Sequence, residues 1–358
     1  MVEDRQLRCL IATGGTVGHV APSLAVAEAL RERGVEVTFA GSPDRVEARL
    51  VPERGYAFDA FRIAGFPRRP GPGLLRALGL SLAAPAACLR ILGRRRPDVV
   101  LGGGGYVAGP MVLAAWLRRI PAALTEADAQ LGLANRLAAP FARRLFLAYP
   151  PARARRKARV VGRPIPATSR AKPSAEARAA LGLPENGSVL VVFGGSIGAL
   201  TLNELALEAW GAAGPAVLHV TGERDYERLR RRVERSDYRL VPFLEDFGAA
   251  LGAADLIVAR SGGSVWEIAA AGKPAVLVPY PEATGDHQRA NAVYFERAGG
   301  ALVVLDRDAR ANVPPLVEHL LGAPSRLVKM GEAMRAAAKP DAAERIADEL
   351  IALAAARR

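Results

Sequence analysis

Two glycine-rich turns are the residues whose types and spacing best suit chemistry. Residues 14–18 (GGTVG) follow an apolar strand pattern and precede a helical one, and residues 194–198 (GGSIG) repeat this 180 residues later. A glycine-rich turn at a helix start exposes backbone N–H groups where the helix dipole is positive, which favours phosphate. Two such turns at matching places therefore predict a ligand that carries phosphate groups.

His19 directly follows the first turn and lies near the N-terminus of the predicted helix. A helix N-terminus disfavours the charged imidazolium. The neutral imidazole is the form that takes a proton from a hydroxyl as a general base. The structural alternative is a histidine bonded to backbone, and we favour the catalytic interpretation.

Three further positions suit a nucleotide sugar, and each has a structural alternative. Glu267 can accept from both ribose hydroxyls, or it can complement a helix dipole. On the loop that contains Phe243 and Leu244, an apolar side chain can stack on a base while the loop backbone pairs with the edge of that base. The structural alternative is that the loop forms a hydrophobic staple. Gln288 can contact sugar hydroxyls, or it can be an exposed neighbour of an N-cap.

A dinucleotide site and a metal site are both disfavoured. Neither turn has the G-x-G-x-x-G spacing, and strand 35–40 ends in Ala-Gly where a ribose-binding acid is expected. The acids of 306–308 (DRD) are interpreted as helix caps, and no His/Cys cluster has ligand spacing. We predict no metal site and no required cofactor, with non-specific divalent-cation stimulation left open.

Apolar strand-length runs alternate with amphipathic helix-length stretches along the chain. This alternation predicts an α/β fold of parallel sheets covered by helices on both faces. Helices are predicted between most strands, for example over 22–33 and 288–298. The predicted strands are 8–12, 35–40, 57–63, 99–101, 122–124, 145–147, 189–193, 216–220, 239–241, 256–258, 275–278 and 301–304.

The two halves of the chain repeat one another loosely. Besides the glycine turns, DVVL before 102–105 matches DLIV before 261–264, and a helix follows each. Two Rossmann-like domains are the simplest explanation. We place them at 1–162 and 163–340, and we expect the C-terminal helix within 341–358 to pack back on the first domain.

Charge and cysteine content narrow the surroundings of the protein. The net charge is +13, with eight arginines and no acid over 61–97 and eleven basic residues and no acid over 129–175. Unless this is a plain solvated surface, it predicts a polyanionic partner, and the scarcity of interleaved aromatic residues disfavours nucleic acid.

Cys9 and Cys88 lie in apolar stretches, which indicates free thiols in reducing cytoplasm. We find no pattern of a signal peptide or a spanning helix.

Taken together, these motifs resemble the MurG family of glycosyltransferases over nearly the whole chain. Members of that family transfer N-acetylglucosamine from its UDP donor to undecaprenyl-diphospho-N-acetylmuramoyl-pentapeptide. The resemblance implies a GT-B fold, in which the parallel sheets of two Rossmann-like domains face a central cleft. The matching segments are GGTVGHVAPSLAVAEAL at 14–30, GGGGYVAGP at 102–110, VVGRPI at 160–165, GGSIGA at 194–199, ARSGGSVWEIAAAGKPAVLVP at 259–279 and DHQRANA at 286–292.

The resemblance also implies roles for individual residues. His19 is implied as the catalytic base, with the acceptor diphosphate at the first turn and the donor diphosphate at the second. The implied donor-binding residues are Thr16, Gly18, Asp128, Arg163, Gly195, Ser196, Leu244, Glu267 and Gln288. The implied acceptor-binding residues are Gly14, Gly15, Gly18, Gly104 and Tyr106.

The chain departs from the family pattern at several of these places. Val17 replaces the third glycine of the first turn and narrows backbone freedom there. The family's His-Glu-Gln-Asn is Thr-Glu-Ala-Asp at 125–128. Pro166 stands where the family has arginine, and Arg163 is expected to supply the guanidinium instead. The loop before Glu267 is one residue shorter than usual.

The implied reaction is an inverting displacement. His19 takes the proton of the acceptor's muramoyl 4-hydroxyl as that oxygen attacks C1 of N-acetylglucosamine, and UDP leaves from the opposite side. Backbone N–H groups at 194–196, taken as a helix start, and a nearby arginine hold the leaving charge. The alternatives are another GT-B enzyme that uses a UDP-sugar on a glycolipid, and a non-catalytic basic protein that binds membrane or nucleic acid.

A lipid-linked acceptor requires contact with a membrane. Within 73–96, leucines are predicted to form one apolar helix stripe flanked by arginines, with Trp116 on a neighbouring helix. We expect a peripheral protein at the cytoplasmic face of an anionic membrane, unless the stripe packs on the sheet as most amphipathic helices do. The stripe is Leu74, Leu75, Leu78, Leu82 and Leu89, and the arginines are Arg68, Arg69, Arg76, Arg90 and 94–96.

Overall fold

The computed structural model describes residues 5–64, 72–153, 156–195 and 198–357, with the side chains of 72–78 and 81 left aside. The chain divides into two compact units. The first comprises Met1–Pro166 and Pro340–Arg358, and the second comprises Ala167–Lys339. Among the described residues, no helix combines the length and the apolar character needed to cross a bilayer.

The first unit is built on a parallel sheet. Its strands are β1 (Arg8–Ala12), β2 (Glu36–Gly41), β3 (Ala57–Ala60), β4 (Val99–Gly102), β5 (Ala122–Glu126), β6 (Arg144–Leu147) and β7 (Ala158–Val160). In the described part of the unit these seven strands lie in the order β3-β2-β1-β4-β5-β6-β7. The winding reverses between β1 and β4, and ligands of open α/β sheets bind outside the carboxyl ends of strands at such a point.

Helices cover both faces of this sheet. Successive side chains of β1 point to opposite faces, so Cys9 and Ile11 join one core cluster while Leu10 and Ala12 join another. Residues of the first and last helices of the unit fill the first cluster, including Leu30 and Ile346. Fully burying a side chain such as Ile11 contributes roughly 1.5–3 kcal/mol. The helices are α1 (Val17–Glu32), α2 (Glu47–Glu53), α3 (Pro72–Arg95), α4 (Ala108–Leu117), α5 (Leu133–Ala138) and α14 (Ala342–Ala355).

The second unit repeats this plan. Its strands are β8 (Val189–Phe193), β9 (Ala216–Val220), β10 (Tyr238–Val241), β11 (Leu256–Ala259), β12 (Ala275–Leu277) and β13 (Ala301–Val303). Over the described residues they form a six-stranded parallel sheet, β10-β9-β8-β11-β12-β13. The helices are α6 (Ser174–Leu181), α7 (Leu200–Trp210), α8 (Glu223–Leu229), α9 (Phe247–Ala253), α10 (Val265–Ala270), α11 (His287–Arg297), α12 (Ala309–Leu321) and α13 (Pro324–Ala337).

The predicted α/β fold of parallel sheets is confirmed, but two element bounds differ by three or more residues and one strand was missed. β3 ends at Ala60 rather than at 63. The edge strand β7 was missed because it has only three residues and no buried side chain to mark it. α1 begins at Val17, five positions before the predicted start at Pro22, so the proline lies inside the helix.

Candidate active site

The first glycine turn joins β1 to α1 and is anchored from inside the first unit. Gly15 has a φ of +103°, a conformation that favours glycine. Its N–H donates to Oε2 of Glu47 at 3.1 Å, while Oε1 of Glu47 accepts from the N–H of Ser42 at 3.0 Å. The ring of Tyr106 lies beside the turn, with Cε1 3.6 Å from the position of a Cβ on Gly15. One donor of this turn is therefore already occupied by a carboxylate.

The loop after β4 packs directly against this turn. A Cβ on Gly105 would lie 2.2 Å from the carbonyl oxygen of Gly14, and one on Gly104 would lie 2.6 Å from Nδ1 of His19. Gly104 and Gly105 also have φ values of +105° and +73°. Glycine at these positions lets two loops meet closely. The structure thus brings the predicted residues of both loops together around His19.

His19 lies in the first turn of α1 and is half-buried. Its carbonyl oxygen accepts from Oγ of Ser23 at 2.9 Å and from Oγ1 of Thr13 at 3.1 Å, which fixes the backbone at this position. Its side chain lines a small cavity within the first unit that Arg163 and Glu126 also line. His19 thus shares the lining of this cavity with a cation and a carboxylate, at the carboxyl ends of the strands.

Arg163 supplies a hydrogen bond that a proline removes from α1. Pro22 has no N–H, so the carbonyl of Gly18 lacks its helical donor. Nη2 of Arg163 donates to that carbonyl at 2.7 Å. Arg163, predicted to bind the donor, is thus a buried residue of the first unit that holds the start of α1. Val17 begins this helix and is not among the described residues with positive φ, so it does not need to be glycine.

Glu126 ties down the loop that contains Asp128. Its Oε1 accepts from the N–H of Asp128 at 3.2 Å, and its Oε2 accepts from the N–H of Gly132 at 2.8 Å and from Nδ2 of Asn135 at 2.9 Å. Burial raises the pKa of Glu126, and these three donors oppose that rise. Both oxygens are engaged, which suits a structural role. Asp128, predicted to bind the donor, is half-buried in the first unit.

The second glycine turn has a different conformation from the first. Gly195 is exposed with a φ of +91°, and a Cβ there would meet no described atom within 4 Å. Gly198 has a φ of +76°, and its Cβ would lie 2.0 Å from the carbonyl oxygen of Thr221. α7 begins only at Leu200, so the expected helix start at 194–196 was wrong. Ser196, predicted to bind the donor, lies outside the described residues.

Glu267 and Gln288 lie on neighbouring helices of the second unit. Glu267 is in the first turn of α10 and half-buried. Oε1 of Gln288 accepts from the N–H of Tyr280 at 3.0 Å, and its Nε2 is 3.9 Å from the position of a Cβ on Gly262. The side-chain oxygen of Gln288 is thus engaged, and its amide nitrogen faces the loop before α10. A ligand oxygen there would accept from Gln288.

The loop between β10 and α9 exposes an apolar side chain. Phe243 is 50% exposed, and Leu244 beside it is half-buried. The side chain of Asp246 caps α9 by accepting from the N–H of Ala249. An exposed aromatic ring next to a capped helix leaves a flat apolar surface available to a base.

The acid pair at 306–308 does not cap α12, contrary to prediction. Asp308, the N-cap residue, makes no capping hydrogen bond. Asp306 instead forms an ion pair with the buried Arg260 at 2.5 Å. Nη1 of Arg260 also donates to the carbonyls of Val278 and Pro279. Searched over the described ranges, no group of three or more His, Cys, Asp or Glu residues could hold a metal ion.

Glu47 in the first unit and Arg260 in the second are candidate functional residues that sequence reasoning missed. Glu47 and Val51 are four positions apart on α2 and both buried, so helical spacing placed an acid on the apolar face. Arg260 directly follows the fully buried strand β11, at the edge of a parallel sheet where ligands bind. In both cases the signal is a charge at a position where the periodicity predicts burial.

Two family models match the chain. The glycosyltransferase family 28 N-terminal domain matches residues 9–147, and the glycosyltransferase family 28 C-terminal domain matches residues 189–346. The matched ranges include both glycine turns, His19, Glu267 and Gln288. The stretch between them, 148–188, contains the end of the first unit and the start of the second.

Curated relatives match over almost their entire length. A Halorhodospira halophila protein is 44% identical over 349 residues, covering 94% of this chain and 96% of the relative. A Salinibacter ruber protein is 40% identical over 364 residues, covering 99% and 98%. Both are named UDP-N-acetylglucosamine–N-acetylmuramyl-(pentapeptide) pyrophosphoryl-undecaprenol N-acetylglucosamine transferase.

Solved structures share the fold. The crystal structure of Acinetobacter baumannii MurG matches with a TM-score of 0.78 at 29% identity, covering 97% of this chain and all of that one. CalG4, the calicheamicin glycosyltransferase, matches with a TM-score of 0.71 at 18% identity and 98% coverage of both chains, which shows the fold alone.

Proposed function

This chain belongs to glycosyltransferase family 28, and from that premise we propose that it transfers N-acetylglucosamine from UDP-N-acetylglucosamine to a lipid-linked muramoyl-pentapeptide. The acceptor is undecaprenyl-diphospho-N-acetylmuramoyl-pentapeptide, and the new bond is to its muramoyl 4-hydroxyl. The product is the lipid-linked disaccharide precursor of peptidoglycan. The observation that supports this most is the near full-length identity with relatives named for this transfer.

The second unit binds the donor in this proposal. Gly195, which is exposed, receives the diphosphate together with Ser196, because backbone N–H groups of a glycine-rich turn favour phosphate. Glu267 accepts from the ribose hydroxyls, and the loop of Leu244 meets the uracil. Gln288 donates to an oxygen of the sugar, since its own Oε1 is bonded to Tyr280. Thr16, Gly18, Asp128 and Arg163 remain proposed as donor contacts from the first unit.

The first unit binds the acceptor and supplies the base. Gly14, Gly15, Gly18, Gly104 and Tyr106 are proposed to line the acceptor site around His19. The acceptor O4 forms a bond to C1 as the bond from C1 to the UDP oxygen breaks, and the hydroxyl proton passes to His19.

The charge that develops on UDP is held by residues of the second unit. Backbone N–H groups of the second turn and the guanidinium of Arg260 are the proposed partners. Because these groups can hold the leaving charge, we propose that transfer requires no cofactor and continues in a chelator, with divalent cations acting as non-specific stimulants only.

The test is a transfer assay with the full chain and two acceptors. One acceptor is the lipid-linked diphospho-muramoyl-pentapeptide, and the other is a glycolipid without a diphosphate. We expect label from UDP-N-acetylglucosamine to appear in the first. Transfer to the glycolipid alone would establish the alternative glycosyltransferase. Absence of UDP binding together with salt-sensitive binding to random DNA would establish a non-catalytic basic protein.

We also propose that the first unit docks reversibly on the cytoplasmic face of an anionic membrane. Leu82 on α3 is 81% exposed and Trp116 on the neighbouring α4 is 52% exposed. Leu133 and Leu137, one turn apart on α5, are exposed as well. Exposed apolar side chains of this size on neighbouring helices suit shallow insertion into lipid.

Some of the leucines and arginines predicted to contact the membrane have structural contacts instead, and others lie outside the described residues. Leu89 is half-buried and packs against the core. Arg94 and Arg95 both bond to the buried Asp59, at 2.6 Å each. The side chains of Leu74, Leu75, Leu78 and Arg76 and the whole of Arg68 and Arg69 lie outside the described residues. Arg90 on α3 and Arg96, directly after its end, are exposed and remain as the basic residues of this proposal.

Liposome co-sedimentation tests the membrane contact. We expect binding to anionic vesicles at low salt, weaker binding at high salt, and loss of binding in Leu82→Ser with Trp116→Ser. Leu200→Ser is the matched control, because Leu200 is an exposed leucine of the second unit. A second variant removes positive charge by combining Arg90→Gln with Arg96→Gln, and it leaves the ion pairs of Arg94 and Arg95 with Asp59 intact. Equal, negligible binding to anionic and neutral vesicles at low salt would refute the proposal.

A further inference from the structure

Glu47 is a buried carboxylate beneath the first glycine turn. It is fully buried at the start of α2. The partners described for it are two backbone donors, the N–H groups of Gly15 and Ser42. Among the residues that the structure describes, no Lys, Arg or His forms an ion pair with it. Burying a carboxylate is costly unless hydrogen bonds compensate, so this charge is held in place by the loop backbone.

Two glycines leave the space that this carboxylate occupies. A Cβ on Gly14 would lie 2.1 Å from Oε1 of Glu47, and one on Gly41 would lie 2.8 Å from Cγ. Neither glycine has a positive φ. The lack of a side chain at Gly14 is therefore explained by space for Glu47, and at Gly41 by space for Glu47 and for the carbonyl oxygen of Thr13, which would also lie 2.8 Å from a Cβ.

The same turn is held from its other side by the loop after β4. Gly105 contacts the backbone of Gly14, and Gly104 contacts the ring of His19. The turn is thus clamped between Glu47 and this loop, and His19 follows it by one position. A change in the backbone at Gly15 would move the start of α1 and the imidazole with it.

We propose that Glu47 is a positioning residue for the transfer reaction. Its carboxylate occupies the N–H of Gly15 and fixes the first turn in the conformation that presents His19. A phosphate cannot share that N–H with a buried negative charge, so the acceptor diphosphate does not bind the N–H of Gly15. This inference rests on the proposed transfer function.

The test compares Glu47→Gln with Asp98→Asn. Glu47→Gln keeps the shape but places an amide NH₂ where a backbone N–H needs an acceptor. Asp98 is the matched control, because it is also a buried carboxylate of the first unit and accepts from the N–H of Arg8 at 2.9 Å, at the amino end of β4. Both variants are compared by melting temperature, kcat, KM for each substrate and UDP affinity.

We expect kcat to fall roughly 10- to 100-fold in Glu47→Gln, because small misplacements of catalytic groups have effects of this size. UDP affinity should stay within about twofold, and Asp98→Asn should keep its kcat even with a similar loss of melting temperature. A kcat within twofold of wild type in Glu47→Gln overturns the proposal. The proposal is also overturned if Asp98→Asn, at a similar loss of melting temperature, loses as much kcat as Glu47→Gln does.

A measurement on the wild-type chain keeps the proposal testable if Glu47→Gln does not fold. Hydrogen exchange at the amide of Gly15, without ligand, should be slow because that N–H is bonded to a buried carboxylate. Rapid exchange there overturns the proposal. If wild-type protein fails to transfer N-acetylglucosamine while Gly15 is protected, the proposed function fails and the anchoring of the turn by Glu47 stands.

Discussion

The two glycine turns share a sequence pattern and differ in structure and charge. In the first, α1 begins at Val17 and Gly18 lies inside the helix, whereas in the second, α7 begins only at Leu200. The N–H of Gly15 is bonded to the buried Glu47, while Gly195 is exposed. The shared pattern therefore predicts a turn, and the surroundings decide which turn can receive a phosphate.

The supports of the two turns also differ in charge. A carboxylate bonds directly to the first turn, whereas a buried hydrogen-bond network around Asn203 lies behind the second. Nδ2 of Asn203 donates to the carbonyl of Thr221, against which Gly198 packs. Oδ1 of Asn203 bonds to Nε2 of His219 at 3.0 Å, and Nδ1 of His219 bonds to the hydroxyl of Tyr238 at 2.9 Å. Nδ2 of Asn203 also donates to Oδ2 of Asp225 at 3.0 Å, and Asp225 pairs with Arg224 at 2.9 Å, so the negative charge behind the second turn is balanced by a cation.

The largest expected effect tests whether catalysis belongs to the first turn. His19→Ala should lower kcat by about 10² to 10⁴, because general-base catalysis contributes that much, with little change in UDP affinity. His319→Ala is the control, since His319 is exposed on α12. Initial rates measure kcat, and calorimetry measures the affinity for UDP. A His19→Ala enzyme that keeps most of its kcat would assign the proton to another group, such as Asp128 or Glu126.

A smaller effect tests whether the donor belongs to the second unit. Glu267→Ala should weaken UDP binding roughly 10- to 100-fold, because hydrogen bonds to charged groups are worth about 1.5–3 kcal/mol. Glu318→Ala, an exposed acid on α12, should bind UDP as wild type does. Unchanged UDP affinity of Glu267→Ala by calorimetry would remove Glu267 from the site.

The smallest effect concerns His219 in the buried network behind the second turn. Burial lowers the pKa of His219 from 6.5 to about 3. Between these values the unfolded chain binds the proton and the folded chain does not, so acid favours unfolding. His219 should therefore lower the free energy of unfolding by about 1.4 kcal/mol for each pH unit below 6.5. Its full contribution to stability is present above pH 6.5.

Denaturant unfolding of the second unit measures that slope. In a Trp116→Phe background, fluorescence reports Trp210 and Trp266, which both lie in the second unit. His219→Gln should make the stability less dependent on pH between 6.5 and 3, and His319→Gln should leave the dependence unchanged. An unaltered slope in His219→Gln would contradict a neutral, buried imidazole.

Periodicity was sufficient to predict the sheets but not the turns. Most predicted strands lie within two residues of their observed bounds, because buried parallel strands are continuous apolar runs. The start of α1 was misplaced because proline usually begins a helix, whereas Pro22 is tolerated inside α1 by a hydrogen bond from Arg163, distant in sequence.

Residues of the candidate site could be predicted where they belong to one local sequence motif, but contacts between distant segments could not. His19 and Gly104 were both named from sequence, but their mutual contact depends on how two loops pack. Glu47 was missed because it lies 32 positions from Gly15, and no local pattern links them. Long-range contacts of this kind are set by tertiary packing and not by spacing along the chain.

The most direct test of the account is a set of UDP titrations on three glycine variants. Gly15, Gly195 and Gly187 have φ values of +103°, +91° and +89°, so alanine is similarly strained at each. The account predicts that Gly195→Ala weakens UDP binding roughly 5- to 30-fold, since strain of ~1–2 kcal/mol then acts where phosphate approaches the backbone. Gly15→Ala and Gly187→Ala should bind UDP as wild type does. Weakened UDP binding in Gly15→Ala with normal binding in Gly195→Ala would contradict the account.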